Sequence, residues 1–332
     1  MNETLRELLQ QTSRSFYLTV RVLPASVRSQ IGLAYLLART TDTIADTDIV
    51  PPDQRLTALA ELRARILGQR STPLDFTQLA QQQGTPAERA LLEQSEAGIA
   101  LLRSFSGEDA ELIRRVLDTI TGGQELDLQR FGRATAQNIV ALNSDEELDD
   151  YTYRVAGCVG EFWTKLCRAQ VFPRARLEDA RLLADGVRFG KGLQLVNILR
   201  DLPGDLRKGR CYLPATSLHK AGLQPRDLLD AGNETRLRPL YNPLLARAEA
   251  HLAAGWAYTN SLPWRCVRVR LACAWPVLIG VQTLARLRVQ NPLDATRPIK
   301  ITRPLLRGIL WRSVLLYPLP GLWRSQATLP GS

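Results

Sequence analysis

The sequence predicts an all-α protein, on three observations. Apolar residues recur at helical spacing along most of the 332 residues, period-two alternation of β-branched residues is almost absent, and neither an internal repeat nor a long linker divides the chain. A hydrophobic content of 45% with 23% charged residues fits a soluble globular chain rather than a disordered or collagen-like one. A chain of this length buries a large core without disulfides or metals to hold it.

The elements follow in order. The opening MNETLRELLQQ reads as an amphipathic helix with no apolar run behind a basic head, so no signal peptide is expected. Residues 27–46 form a helix rich in Ala, Leu and Thr, and Pro51 and Pro52 announce another over 53–68. Residues 69–86 connect, with a short helical piece inside, and 87–102 and 108–129 are helices. Residues 145–169 read as one long helix opened by the capping sequence Ser144-Asp145-Glu146-Glu147. A helix over 178–200 is followed by a Gly/Pro-rich break, and 225–231, 236–262 and 263–288 complete the core. The longest uncharged stretch after residue 230 is 271–285, with Pro276 inside, which falls short of the ~18–20 residues a membrane span needs and predicts a buried helix. Beyond Gln290 the chain is irregular, so the sequence divides into a domain over 1–290 and a basic, apolar appendage over 291–332.

Five cysteines without a CxxC pair and two distant histidines exclude a disulfide scaffold, a zinc ribbon and a His-rich metal site, and fit a reducing, cytoplasmic compartment. The net charge of +10 is uneven. Residues 1–233 carry 29 Lys/Arg against 30 Asp/Glu, whereas 234–332 carry 14 against three. That asymmetry points to an anionic partner. Nucleic acid fits poorly, because the basic residues are spaced singly among apolar ones. The segment 309–323 (ILWRSVLLYPLPGLW), flanked by arginines, suits peripheral contact with an anionic membrane, such as the inner face of the cytoplasmic membrane, or packing on its own domain.

Two helix faces carry chemistry. Tyr35, Arg39, Asp42 and Asp46 lie at spacings of four, three and four and share one side of a helix. Gln194, Asn197, Asp201 and Asp205 do the same within the apolar stretch GLQLVNILRDLPGD, followed by Lys208, Arg210 and Tyr212. Like-charged carboxylates one turn apart suit a shared oxygen-loving cation such as Mg²⁺, which binds one or two carboxylates plus substrate phosphates. Two such helices facing across a bundle would hold a diphosphate through Mg²⁺ beside a dry apolar cavity.

These stretches, with Ser13-Arg14-Ser15-Phe16, Tyr151-Thr-Tyr153-Arg-Val155-Ala156-Gly157-Cys-Val159-Gly160-Glu161 and Arg210-Cys-Tyr212-Leu-Pro214, occur in order over about residues 10–290 and resemble the squalene/phytoene synthases. The resemblance implies a single-domain isoprenoid synthase bundle with a central apolar cavity. It also implies Mg²⁺-assisted head-to-head condensation of two farnesyl diphosphates, through the cyclopropyl intermediate presqualene diphosphate. By that likeness Asp42, Asp46, Asp201 and Asp205 bind metal, and Tyr35, Tyr151 and Tyr212 line the reaction site. Ser13, Ser15 and Phe16 match a segment that closes over the diphosphate, with Arg39, Gln194, Asn197, Arg200, Lys208 and Arg210 around it, and Val155, Ala156, Val159 and Gly160 leave room for a prenyl chain or pack helices closely. The likeness is greatest to bacterial squalene synthases, which implies squalene as product and NADPH as hydride donor. A phytoene synthase acting on geranylgeranyl diphosphate is the second reading, and dehydrosqualene- or hydroxysqualene-forming enzymes differ only in how the last cation is quenched. A basic lipid-surface or nucleic-acid binding protein is the non-enzymatic rival. The chain departs from the family at Gly204, often Glu, and Pro203 predicts a bend after Asp201 that weakens the role of Asp205. Oligomeric state is left open.

Overall fold

The computed structural model describes residues 3–12, 16–47 and 49–327. Ser13 and Ser15 lie outside the described residues, and Phe16 is described by its backbone alone. The protein is all-α, and its contacts gather into two compact units, Met1–Gly132 with Phe162–Arg174, and Arg133–Glu161 with Ala175–Ser332.

The first unit holds α1 (Glu3–Thr12), α2 (Phe16–Val22), α3 (Ala25–Asp46), α4 (Pro52–Ile66), α5 (Thr77–Gln81), α6 (Pro86–Glu93), α7 (Ser95–Arg103) and α8 (Gly107–Phe131). Its organising helix is α3. Ile31, Leu33, Leu36, Leu37 and Ile44 bury more than one side of it, against α1, α4, α6, α7 and α8. Pro52 starts α4 where its missing N–H has no helical partner to lose, and the Ser106 hydroxyl accepts the Asp109 N–H at 3.2 Å to cap α8. The helix predicted over 87–102 is two, α6 and α7, because the backbone leaves helical geometry at Gln94 (φ −94°, ψ 8°).

The second unit holds α9 (Asp145–Thr152), the start of α10 (Cys158–Gln170), α11 (Asp179–Arg207), α12 (Ala215–Lys220), α13 (Glu234–Ser261), α14 (Val267–Val289), α15 (Arg303–Leu316) and α16 (Pro320–Arg324). Its core is α11 packed on α13 and α14, with α15 on α14. Ser144 caps α9 as predicted, accepting the Glu147 N–H at 3.4 Å. The single helix predicted over 145–169 is interrupted by a π-turn over Tyr153–Gly157. The only sheet among the described residues is a two-residue parallel pair, β1 (Val140–Ala141) beside β2 (Arg210–Cys211). The five cysteines form no disulfide, and burial pushes the Cys158 and Cys211 thiols up to about 12, so both are inert.

Helix α14 is long and apolar enough to cross a membrane, but 67% of its most apolar window is buried within the protein, in line with the predicted buried helix. Residues 291–327, which the sequence sets apart, belong with the second unit. Trp323 is fully buried there and Tyr317 nearly so, against Leu271, Ala274 and Leu278 of α14.

The largest difference from expectation is in α11. The sequence predicts a break after Arg200, yet the helix runs through Pro203 and Gly204 to Arg207. A proline cannot donate to the carbonyl four residues back, here Leu199. The buried Tyr241 hydroxyl, from α13, donates to that carbonyl at 2.8 Å and replaces the missing bond.

Candidate functional site

In the first unit, α3 presents Tyr35, Arg39, Asp42 and Asp46 along the one side its neighbours leave partly open. Tyr35 donates its phenol to the Thr12 carbonyl at 3.2 Å, which ties α1 to this side. Arg39 forms an ion pair with Asp42 and reaches Glu88 of α6 at 3.5 Å. Burial pulls the Arg39 guanidinium down, but Asp42, Tyr35 and Glu88 together hold it above its ordinary value. Glu88 was not foreseen. Its spacing from Thr85 marks a helix start, and one of its oxygens does accept the Thr85 hydroxyl at 2.7 Å while the other faces Arg39. Asp46 ends α3, whose last turn has no basic residue, so this carboxylate sits at the negative pole of the helix.

In the second unit, α11 carries Gln194, Asn197, Arg200, Asp201 and Asp205 outside its buried leucines. The Asn197 amide reaches Gln194 Oε1 at 3.5 Å. Arg200 grips Asp201 in a bidentate pair, Nε to Oδ1 at 2.8 Å and Nη2 to Oδ2 at 2.5 Å. Those bonds hold its guanidinium above its ordinary value against partial burial. Because α11 is unbroken, Asp205 stands one turn beyond Asp201 on the same side. Asp201, Asp205, Arg200 and Lys208 line a cavity of about 390 Å³ closed on another side by Asn291 and Asp294, residues that no spacing in the sequence connects to this helix.

The chain leaves α11 at Gly209, whose φ of +80° and close approach to the Thr135 backbone admit no side chain. This turn feeds Arg210 into β2 and delivers Tyr212, buried, onto Tyr151 with ring centroids 4.5 Å apart. The two predicted tyrosines are thus one stacked pair. Nearby, the Tyr153 hydroxyl donates to Glu161 at 3.1 Å, and Lys191 pairs with Asp149 at 2.7 Å. Val155, Ala156 and Val159 are half-buried. Gly160 makes no room for a chain: a Cβ there would lie 1.9 Å from the Gly186 carbonyl oxygen, so its smallness serves the contact with α11.

Among the described residues no group of three or more His, Cys, Asp or Glu forms a metal cage. Each helix instead offers two carboxylates one turn apart near a negative helix end. That donor set fits Mg²⁺, which keeps several positions for water and phosphate oxygens.

The family profile described as squalene/phytoene synthase matches residues 9–304. A presqualene diphosphate synthase of Rhodopseudomonas palustris is 32% identical over 254 residues, covering 76% of this chain and 77% of that protein. One of Sinorhizobium fredii is 30% identical over 305 residues, covering 91% and 93%. In fold the chain is similar to a squalene synthase from Alicyclobacillus acidocaldarius (TM-score 0.62, 21% identity, 87% of this chain and 93% of that one). The chain belongs to the squalene/phytoene synthase family.

Proposed function

We propose that this chain is a magnesium-dependent prenyl transferase that joins two farnesyl diphosphates head to head and releases presqualene diphosphate. The observation that carries the reading is the pair of acidic helix ends, each with a carboxylate held by an arginine of its own helix. The names borne by the Rhodopseudomonas and Sinorhizobium relatives support the product. Asp42 with Asp46 and Asp201 with Asp205 would hold magnesium, which would supply positive charge for a departing diphosphate. Arg39 and Arg200, each now paired with a carboxylate of that set, would with Lys208 and Arg210 offer charged donors to the diphosphate. In the reaction the C1–O bond of one substrate breaks with its electron pair leaving on diphosphate. The C2–C3 π pair of the second substrate makes the new bond, and a proton is lost as the cyclopropane closes. The stacked Tyr151 and Tyr212 rings offer a π surface that favours positive charge.

Squalene is the second reading, favoured by the likeness of residues 151–163 to bacterial squalene synthases, and it adds reduction by NADPH. Incubation with farnesyl diphosphate and Mg²⁺, with and without NADPH, followed by mass analysis of the extracted and dephosphorylated products, separates the two. Presqualene alcohol in both arms is expected. A C30 hydrocarbon only with NADPH gives squalene, preferential use of geranylgeranyl diphosphate gives the phytoene branch, and no product from either substrate overturns the assignment.

A further inference from the structure

Helix α15 packs on the protein by one side and exposes apolar residues on the opposite one. Ser313, fully buried, and the partly buried Ile309 face inward, where α15 packs on α14. Trp311 and Leu315, one turn apart on the other side, are 67% and 68% exposed. Leu319 and Leu322, in the turn and short helix that follow, are 50% and 53% exposed. Nowhere else among the described residues do more than two exposed large apolar side chains fall within twelve positions. Arg307 and Arg312 flank the pair on α15 and are exposed. From residue 295 to the end the sequence has six Lys/Arg and no Asp or Glu.

We propose that this outer side of α15 and α16 docks on an anionic lipid bilayer, lying in the headgroup region. Exposed Trp and Leu prefer the boundary between headgroups and acyl chains, and the arginines are drawn to anionic headgroups while their stems stay apolar. Spanning is excluded by length, since fourteen residues at ~1.5 Å each fall short of a hydrocarbon core of about 30 Å. A second copy of the chain fits less well, because an isologous contact would set this acid-free basic patch against itself. The inner side is fixed in place. The buried Arg270 guanidinium lies 4.7 Å from the Trp264 ring centroid and 5.5 Å from that of Trp323, and the Trp323 indole donates to Asn260 at 2.9 Å. On α15 the Ser313 hydroxyl accepts the Trp275 indole N–H at 2.9 Å, so the exposed side chains stand on packed helices.

The inference is independent of the prenyl-transfer reading, because binding is measured without substrate. The full chain is floated with vesicles of phosphatidylcholine alone, or of phosphatidylcholine mixed with phosphatidylglycerol, at low and raised salt. Binding to the anionic vesicles, weakened by salt, is expected. Trp311→Ser combined with Leu315→Ser lowers the bound fraction at least tenfold, and Arg307→Gln combined with Arg312→Gln lowers it on anionic vesicles alone. Circular dichroism and melting temperature should match the parent chain, since all four side chains are exposed. Failure of the parent to bind either vesicle, or equal binding by parent and variants, overturns the proposal. A change in sedimenting mass of the Trp311/Leu315 variant without lipid would make the patch an interface between copies, and also overturns it.

Discussion

The two acidic helix ends use the same device in opposite electrostatic surroundings. From Tyr35 to Asp46 the α3 sequence has one basic residue, Arg39, whose guanidinium faces both Asp42 and Glu88. On α11, Asp201 and Asp205 are accompanied by Arg200, Arg207, Lys208 and, just beyond, Arg210. Basic residues are therefore sparse along the first end and dense along the second. Both carboxylate pairs lie at the negative pole of a helix, which adds to the repulsion at α3 and is offset at α11 by Arg207 in the last turn. Net charge, more than the carboxylate spacing they share, distinguishes the two ends.

The comparison is broken most directly at the carboxylates. Asp42→Ala and Asp201→Ala should each lower turnover of farnesyl diphosphate by roughly 10²–10³-fold, the effect of losing several kcal/mol of charge stabilisation. Parent-like turnover in either variant removes that end from the chemistry. Asp205→Ala should fall within about tenfold of Asp201→Ala, because α11 is continuous and keeps both on one side. A much milder loss would mean that Asp205 serves only the local charge balance.

Arginine exchange sharpens the contrast. Arg39→Gln releases Asp42, so the Mg²⁺ concentration for half-maximal rate should drop while KM for farnesyl diphosphate rises about tenfold, the scale of one lost charge-assisted hydrogen bond. Lys208→Gln should raise KM and leave the Mg²⁺ dependence unchanged. Identical responses in both would contradict the charge difference between the ends.

Smaller effects are expected on stability. Tyr241→Phe strands the Leu199 carbonyl in the core and should destabilise the protein by about 1–3 kcal/mol. The same substitution in a Pro203→Ala background should be far milder, because alanine at that position restores the helical N–H. Equal losses in both backgrounds, measured by urea titration, would show that Tyr241 acts by packing alone. Last, His251 is held neutral, its pKa lowered to about 4 by burial and then by Arg188, Lys191 and Arg247. The unfolded chain takes up that proton first, so this group's contribution is complete above about pH 6.5 and is lost as pH falls toward 4. His251→Leu should flatten the melting-temperature profile across that window.

Much of the fold was legible because helices repeat locally. The 3.6-residue period of the leucines sets α3 and α11, and the same period aligns Tyr35, Arg39, Asp42 and Asp46 without any knowledge of neighbours. Local rules failed where the deciding partner is distant in sequence. Pro203 reads as a helix breaker, and the hydroxyl that satisfies the carbonyl it leaves open comes from Tyr241, 38 positions later. Gly160 reads equally as space for a ligand or as a packing contact until the Gly186 carbonyl is seen against it. Glu88 announces a helix cap and conceals its contact with Arg39.

By itself the sequence determined the all-α class, the two carboxylate-bearing helix sides and the basic, acid-free last segment, since periodicity and charge are properties of adjacent residues. Tertiary structure decided that Glu88 reaches Arg39, that Tyr151 and Tyr212 form one stack, and that Trp323 is buried while Trp311 faces outward. Those outcomes rest on contacts between residues far apart in the chain, whose pairing short-range rules do not encode.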